Sequence, residues 1–262
     1  MLPIAIQGIL FDQKSSYLRG PAKAPELIRE QLYSDMSNTY AENGIDIRQN
    51  LISDLGDFSI SEYSEIEAIT GKHLKNSQRL LTLGGDHSVT YPIIKAHAQV
   101  YSDIEILHID AHADLYEEFE GDPYSHACPF ARIMEGKYAS RLVQVGIRTL
   151  NTHQRDQADK YSVEIIEMKE IGDGFVLPVF EKPVYISLDM DALDPAFAPG
   201  VSHHEPGGLS TRQVISMIQS IDVPIIGADI VEYNPERDIN NMTATVASKL
   251  MKEILSKMIE NG

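Results

Sequence analysis

The chain has 262 residues, of which 22 are lysine or arginine and 39 are aspartate or glutamate, so its formal net charge is −17. This acidity argues against a nucleic-acid groove or an anionic membrane surface as partner, because both select basic patches. A small cationic substrate fits the charge better. The single cysteine, Cys128, excludes an intramolecular disulfide and a multi-cysteine zinc site.

Length and the N-terminal residues suggest the class of protein. A chain of this size can form one α/β domain with one large core, and we expect a single domain over residues 1–262. The first residues, MLPIAIQGILFDQKSS, lack the charged region and cleavage site of a signal peptide. No apolar run approaches the length of a membrane span. We therefore expect a soluble, cytoplasmic protein.

The N-terminal part of the chain predicts structural elements without candidate site residues. Residues 2–10 are almost continuously apolar, which predicts a buried strand near the centre of a sheet. A helical pattern at 26–32 follows Pro25, residues 39–49 are polar and predict a loop, and residues 61–75 predict a helix.

A strand, a turn and a helix follow. Residues 79–83 are apolar and run into Gly84-Gly85-Asp86-His87-Ser88, after which a helical pattern begins. Two glycines let the backbone turn sharply, and His87 then lies at the carboxyl end of a strand, where open α/β sheets bind ligands. A histidine that only caps or packs the turn is the alternative. A phosphate loop is disfavoured because no Gly-Lys-Ser/Thr follows the glycines.

The next strand carries the first acidic motif. An apolar run at 104–109 leads into Asp110-Ala-His112-Ala-Asp114. If this stretch is extended, the three side chains project from one face at i, i+2 and i+4. Carboxylates on one face repel each other unless a cation neutralises them, so the spacing suggests a metal. A solvated aspartate pair at a strand end is the alternative.

His126 lies twelve residues beyond Asp114, after an acidic loop and before a helix that we expect to start at Pro129. A loop of this length can fold back over the strand end. His126 would then reach the metal site without being a ligand. The alternative is an exposed loop histidine.

A second acidic pair, Asp189 and Asp191, follows the apolar residues 183–188. Asp194 precedes a proline and indicates a turn. The glycine- and proline-rich residues 196–209 should shape a pocket, but His203 and His204 are adjacent and diverge, which disfavours both as ligands. A strand at 224–231 ends at Glu232, and residues 243–259 predict a closing helix with one apolar face.

The alternation of strands and helices predicts a three-layer α/β/α sandwich with a mainly parallel sheet and its site along the carboxyl edge. The candidate ligands are His87, Asp110, His112, Asp114, Asp189 and Asp191. Four carboxylates are too many for one zinc ion, whereas an oxygen-rich set with two imidazoles suits two divalent ions, manganese first, with a shared water. The predicted reaction class is metal-assisted hydrolysis.

Five motifs carry a family resemblance. GGDHS, DAHAD, SHA, SLDMDALDP and DIVEYNP, in this order over residues 84–235, resemble the ureohydrolases, the arginase and agmatinase family. The segments DAHADLYEEFEGDPYSHACPFARIMEG and DPAFAPGVSHHEPGGLS are most similar to plant-type arginases. The resemblance implies an arginase-like sandwich, two Mn²⁺ per chain on the six residues above, and a homotrimer or homohexamer. By motif, His126 matches a proton-shuttling histidine and Glu232 the carboxylate that pairs with a substrate guanidinium.

These residues define the predicted chemistry. A guanidinium is a poor electrophile, so its hydrolysis needs a strong nucleophile and a partner that fixes the planar cation. Glu232 can supply a bidentate contact, Asp114 can handle the proton of the bridging water, and His126 can protonate the departing amine. The predicted reaction is the hydrolysis of L-arginine to urea and ornithine.

Three alternatives stay open. An agmatinase, or an enzyme for another guanidino acid, is favoured by acidic residues that would repel an α-carboxylate: Glu117, Glu118, Glu120 and Asp122. A metal phosphoesterase would need cations for phosphate, and only Arg148 and Arg212 lie near the motifs. A catalytically silent binding member of the family is the third.

Overall fold

A computed structural model describes residues 3–48, 52–77 and 79–262. The strands are β1 (Ile4–Leu10), β2 (Ile52–Ser59), β3 (Arg79–Leu83), β4 (Glu105–Ile109), β5 (Arg141–Ile147), β6 (Glu164–Glu167), β7 (Val184–Asp189) and β8 (Ile225–Val231). The helices are α1 (Ala24–Leu32), α2 (Glu65–Ser77), α3 (Thr90–His97), α4 (Pro129–Glu135), α5 (Thr152–Tyr161), α6 (Thr211–Gln219) and α7 (Met242–Glu260).

The strands form one parallel sheet with helices on both faces. Within the described residues the order is β2-β1-β3-β8-β7-β4-β5-β6. The four middle strands are mostly apolar and are buried at every position, as expected for a parallel sheet covered on both sides. One core lies under α1, α6 and α7 and the other under α2, α3, α4 and α5. The prediction of a three-layer α/β/α sandwich is confirmed.

The order of the strands sets the place of the site. From β3 the chain crosses to β4 and leaves two positions between them, which β7 and β8 fill later. The carboxyl ends of β3, β8, β7 and β4 are therefore neighbours. In open parallel sheets such a switch in strand order creates a crevice in which ligands bind.

Two expectations about the scaffold need correction. β1 lies second from the edge instead of at the sheet centre, because β2 pairs along its outer side. The closing helix α7 is buried on more than an apolar face, since Lys252 and Glu253 are buried beneath the loop at 39–48. There Glu253 accepts a hydrogen bond from the backbone N–H of Glu42 at 3.1 Å.

Some expectations are not tested by these residues. Leu2 and Gln49, the ends of a predicted strand and a predicted loop, lie outside the described residues. A single domain over residues 1–262 stays a prediction. In the part of the chain that the structure describes, no helix combines the length and the apolar character needed to cross a membrane.

Candidate metal centre

The glycine pair before His87 makes room for close packing. A Cβ at Gly85 would lie 1.6 Å from the carbonyl oxygen of Phe11, and one at Gly84 would lie 2.7 Å from Cγ1 of Val231. The chain bends at Gly85 and Asp86, as predicted, but neither glycine has a positive φ. The buried Asp86 side chain then accepts a hydrogen bond from the N–H of Ser88 at 3.1 Å and caps the turn that holds His87.

His87 is the centre of the first ligand group. Its Nδ1 lies 3.2 Å from Oδ2 of Asp110, 3.2 Å from Oδ2 of Asp114 and 3.0 Å from Oδ2 of Asp189. Yet among the described residues this nitrogen has no partner at hydrogen-bonding geometry. Its Nε2 lies 3.0 Å from Oγ of Ser187. With the ring proton on Nε2, the Nδ1 lone pair faces three carboxylate oxygens, an arrangement that a cation stabilises.

His112 is the centre of the second group. Its Nδ1 lies 3.1 Å from Oδ2 of Asp191 and 3.5 Å from Oδ1 of Asp110. The ligand atoms of these three residues lie close enough together to hold a metal ion. Asp110 belongs to both groups, so the two candidate positions are adjacent and share one carboxylate.

Turns, not strand alternation, bring these side chains together. Strand β4 ends at Ile109, and Asp114 has a φ of 49°, in the left-handed region. Asp191 lies in a short 3-10 turn whose first N–H groups are capped by Asp189, which accepts from the N–H of Asp191 at 2.8 Å. The predicted residues therefore converge, but the extended i, i+2, i+4 geometry predicted for Asp110, His112 and Asp114 is wrong.

The electrostatics of the group favour bound cations. Burial, together with the neighbouring carboxylates of Asp191 and Asp110, raises the pKa of Asp189 well above its ordinary value. Burial also raises the pKa of Asp191. Clustered buried carboxylates are costly without compensation, and an oxygen-rich set with two imidazoles is a donor set for divalent metal ions. The residues present fit such a centre.

His108 is a site residue that the sequence analysis missed. Its Nε2 lies 2.7 Å from Oδ2 of Asp110, and its ring stacks on Phe130 with centroids 3.8 Å apart. It also lies within a possible metal-binding group with His87 and Asp110. The side-chain amide of Gln144 donates to Nδ1 at 2.9 Å, which leaves the Nε2 proton for Asp110. His108 therefore orients Asp110, and its i−2 spacing from Asp110 was the available signal.

His126 and Glu232 form a buried pair beside the ligand groups. Nδ1 of His126 lies 2.9 Å from Oε1 of Glu232, and the same oxygen accepts from the backbone N–H of His87 at 2.9 Å. Burial opposes protonation of His126, but the hydrogen bond and charge of Glu232 outweigh it and raise the pKa of His126 to about 9. His126 thus folds back to the site while lying outside both metal-binding groups.

These residues surround one cavity of about 250 Å³. It is lined by His112, Asp114, His126, Asp189, Asp191 and Glu232 from the predicted set, and by Ser16, Tyr116, Phe119, Ala127, Thr149, Gln154, His203 and Glu205. His87 and Asp110 are fully buried, and His87 contacts the lining residues Asp114 and Asp189. His203 lines the cavity, whereas the exposed His204 turns away and bonds the carbonyl oxygen of Pro199.

The fold and the site define a parallel α/β protein with a buried histidine and aspartate centre at the carboxyl edge of its sheet. The model of the Arginase family matches residues 2–256. The protein belongs to the arginase family, as the resemblance predicted.

Relatives agree with this assignment. Arginase 1, mitochondrial, from Arabidopsis thaliana is 42% identical over 97% of this chain and 80% of the relative. The solved arginase from Medicago truncatula is 41% identical with a TM-score of 0.87, covering 98% of this chain and 87% of that one. The agmatine ureohydrolase of Thermoplasma volcanium is 28% identical with a TM-score of 0.88, covering 99% and 90%.

The same relatives contradict the expected cytoplasmic location. The Arabidopsis relative is named mitochondrial, and a second one, also 42% identical, is named arginase 2, chloroplastic/mitochondrial. The prediction of a cytoplasmic protein is wrong by this comparison. It rested on the absence of a secretory signal, which does not distinguish the cytoplasm from an organelle.

Proposed function

We propose that the protein hydrolyses L-arginine to urea and ornithine. The observation that carries the proposal is the placement of Glu232 and His126 in one cavity with the buried carboxylates of the metal centre. The proposal is also supported by sequence similarity, since proteins named arginase are 42% and 41% identical to this chain over nearly its whole length. Agmatinase activity is the second candidate, since one structural relative is named an agmatine ureohydrolase.

We also propose a centre of two Mn²⁺ ions. The residues that would hold them are His87, Asp110, His112, Asp114, Asp189 and Asp191. Two such cations would neutralise the carboxylates and lower the pKa of a bound water molecule. Oxygen-rich sets with two imidazoles suit manganese better than zinc.

The protein's own side chains then bind the substrate and move protons. Oε1 of Glu232 already accepts two hydrogen bonds, so Oε2 is the oxygen available to a guanidinium N–H, and the negative charge holds the planar cation in place. Asp114 lines the cavity and accepts the proton that the attacking water releases. His126 is held in its charged form by Glu232 and supplies the proton for the departing amine.

The choice between arginine and agmatine depends on carboxylates near the cavity mouth. Glu117, Glu118 and Glu120 are exposed and do not line the cavity, so their repulsion of an α-carboxylate is screened by solvent. Glu205 does line it. It can attract the ammonium group that arginine carries beside its carboxylate. The acidic loop therefore gives less support to agmatine than its composition alone suggests.

Urea release from manganese-loaded protein tests the proposal. Arginine, agmatine and guanidinobutyrate are compared at equal concentration, and arginine is expected to give the highest kcat/KM. A clearly higher value for agmatine would make the protein an agmatinase. Urea from none of the three would contradict a ureohydrolase and favour a binding member of the family.

Metal analysis tests the centre. Manganese-loaded protein is expected to hold two ions per chain, and Asp110→Ala is expected to lose both, because this carboxylate belongs to both groups. Asp189→Ala should lower the metal content, because it removes a carboxylate from the group around His87. Glu118→Ala, at an exposed carboxylate outside the cavity, is the matched control and should keep the full content. A content near one ion in the intact protein would contradict the proposed centre.

We further propose a homotrimer or homohexamer, as the family resemblance implies. Sedimentation at about micromolar concentration, where obligate assemblies stay intact, is expected to show a species of three or six chains. A monomer alone would contradict it.

A further inference from the structure

Ser16 contacts the ring nitrogen of His126 that Glu232 leaves free. It lies in the loop between β1 and α1, far from His126 in sequence. Its backbone N–H donates to Nε2 of His126 at 3.2 Å, and its Oγ lies 2.8 Å from the same nitrogen. Since Nδ1 is bound to Glu232, both ring nitrogens are occupied. The hydroxyl of Ser16 is therefore placed to accept a proton that leaves Nε2.

The fold holds Ser16 in this place. The N–H of Lys14 donates to Oδ2 of the buried Asp86 at 2.9 Å, and the N–H of His126 donates to the carbonyl oxygen of Lys14 at 3.3 Å. The ammonium group of Lys14 binds Asp122 at 2.6 Å. The loop is thus tied to both the strand end before His87 and the segment that carries His126. Ser16 and His126 both line the cavity, so the hydroxyl contacts the ring at the edge of the substrate space.

We propose that the hydroxyl group of Ser16 relays the proton from Nε2 of His126 to the departing amine. The relay rests on the proposed guanidine hydrolysis. The Nε2–H bond breaks as a new O–H bond forms on Oγ, while the original O–H proton of Ser16 bonds to the amine nitrogen. That nitrogen keeps the electron pair of the cleaved C–N bond, and His126 becomes neutral. A hydroxyl suits this task because it accepts and donates at once.

The backbone of Ser16 assists the release. Its N–H needs the Nε2 lone pair as acceptor, so it stabilises the neutral ring that remains after the transfer. The carboxylates of Glu232, Asp114 and Asp86 favour the charged ring instead, and His203 lies with its ring centroid 5.6 Å from that of His126. The acidic neighbours therefore favour protonation of the ring, and the backbone N–H of Ser16 favours its deprotonation.

Ser16→Ala removes the hydroxyl and keeps the backbone N–H. We expect its kcat for urea release to fall on the order of tenfold to a hundredfold, with KM changed less than about twofold, because a relay acts on the chemical step. Ser16→Thr keeps a hydroxyl and should restore kcat to within about threefold. Ser15→Ala, at the neighbouring serine that bonds Asp86 instead of His126, is the matched control and should stay within about twofold of the parent.

The same variants separate a relay from a structural role. Metal content and thermal stability of Ser16→Ala should match the parent, and its solvent isotope effect on kcat should decrease, since fewer protons move together. A kcat unchanged by Ser16→Ala would overturn the relay. A fall in kcat accompanied by a changed KM and a reduced metal content would overturn it as well.

A readout without turnover distinguishes failure of the relay from failure of the proposed function. Absence of urea with the unaltered protein would refute the function and leave the relay to be judged by ¹⁵N spectra of the histidine rings in metal-free protein. A shift of the His126 Nε2 resonance in Ser16→Ala, absent in Ser15→Ala, supports the contact that the relay requires. Identical spectra would overturn it.

Discussion

Glu232→Gln isolates the negative charge that acts on His126. In the parent protein, Oε1 of Glu232 accepts from Nδ1 of His126 and from the N–H of His87, both at 2.9 Å. Glutamine has nearly the same shape and keeps an acceptor oxygen at this position. The substitution should therefore preserve the cavity and the position of His87, while it removes the charge.

The expected effect on His126 follows from its surroundings. Burial alone would lower its pKa, yet the hydrogen bond and charge of Glu232 raise it from 6.5 to about 9. Without the charge we expect a fall of about two pKa units, which corresponds to about 3 kcal/mol. A raised pKa means that the ring is charged at every pH below that value. A proton donor must be charged to act, so the basic limb of the kcat profile should move about two units toward lower pH.

The assay is kcat and kcat/KM for urea release across about pH 6 to 10 with manganese. Loss of the carboxylate charge that faces the guanidinium should also lower kcat/KM by about tenfold to a hundredfold at the optimum, since hydrogen bonds to charged groups contribute about 1.5–3 kcal/mol. Glu118→Gln, at an exposed carboxylate, is the control for general charge effects. A basic limb that does not move in Glu232→Gln would refute the coupling between these two residues.

Three further outcomes are expected. His126→Ala should lower turnover on the order of 10²- to 10⁴-fold while metal content stays near that of the parent, because His126 lies outside both ligand groups; equal losses would make it a ligand. Burial raises the pKa of the Cys128 thiol to about 12, so Ellman's reagent should label no thiol in native protein at about pH 8 and one after denaturation. Burial lowers the pKa of His97 from 6.5 to about 4, so the folded state resists its protonation. The free energy of unfolding should therefore fall by about 3 kcal/mol as the pH drops from 6.5 to about 4. The same pH slope in His97→Gln would contradict this.

The sequence predicted the class of the fold because buried parallel strands leave a local signal. Strands such as Glu105–Ile109 and Val184–Asp189 are mostly apolar and are buried at every position. Strand order leaves no such signal. The position of Ile4–Leu10 second from the edge depends on which strand pairs on its outer side, and that pairing is set by packing across the whole sheet.

The same distinction applies to the site. The predicted ligands and the pair of His126 and Glu232 do come together, because short motifs at strand ends meet at one edge of the sheet. Their geometry was predicted wrongly where a turn replaces a strand, as at Asp114 with its positive φ. Ser16 was missed because only tertiary contact brings the loop after the first strand against His126.

The orientation of His87 shows why the interior of the sheet matters for the centre. Ser187 and Asp229 face each other in the paired strands β7 and β8, and Oγ of Ser187 donates to Oδ1 of Asp229 at 2.7 Å. The other carboxylate oxygen accepts from the hydroxyls of Tyr185 and Thr90, each at 2.9 Å. Asp229 is thus fixed by three donors and holds Ser187 as the acceptor for Nε2 of His87. A shift of β8 by one residue would turn Asp229 to the other face of the sheet and release this ring. The register of two buried strands therefore sets the direction of the Nδ1 lone pair, and through it the geometry of the candidate metal centre.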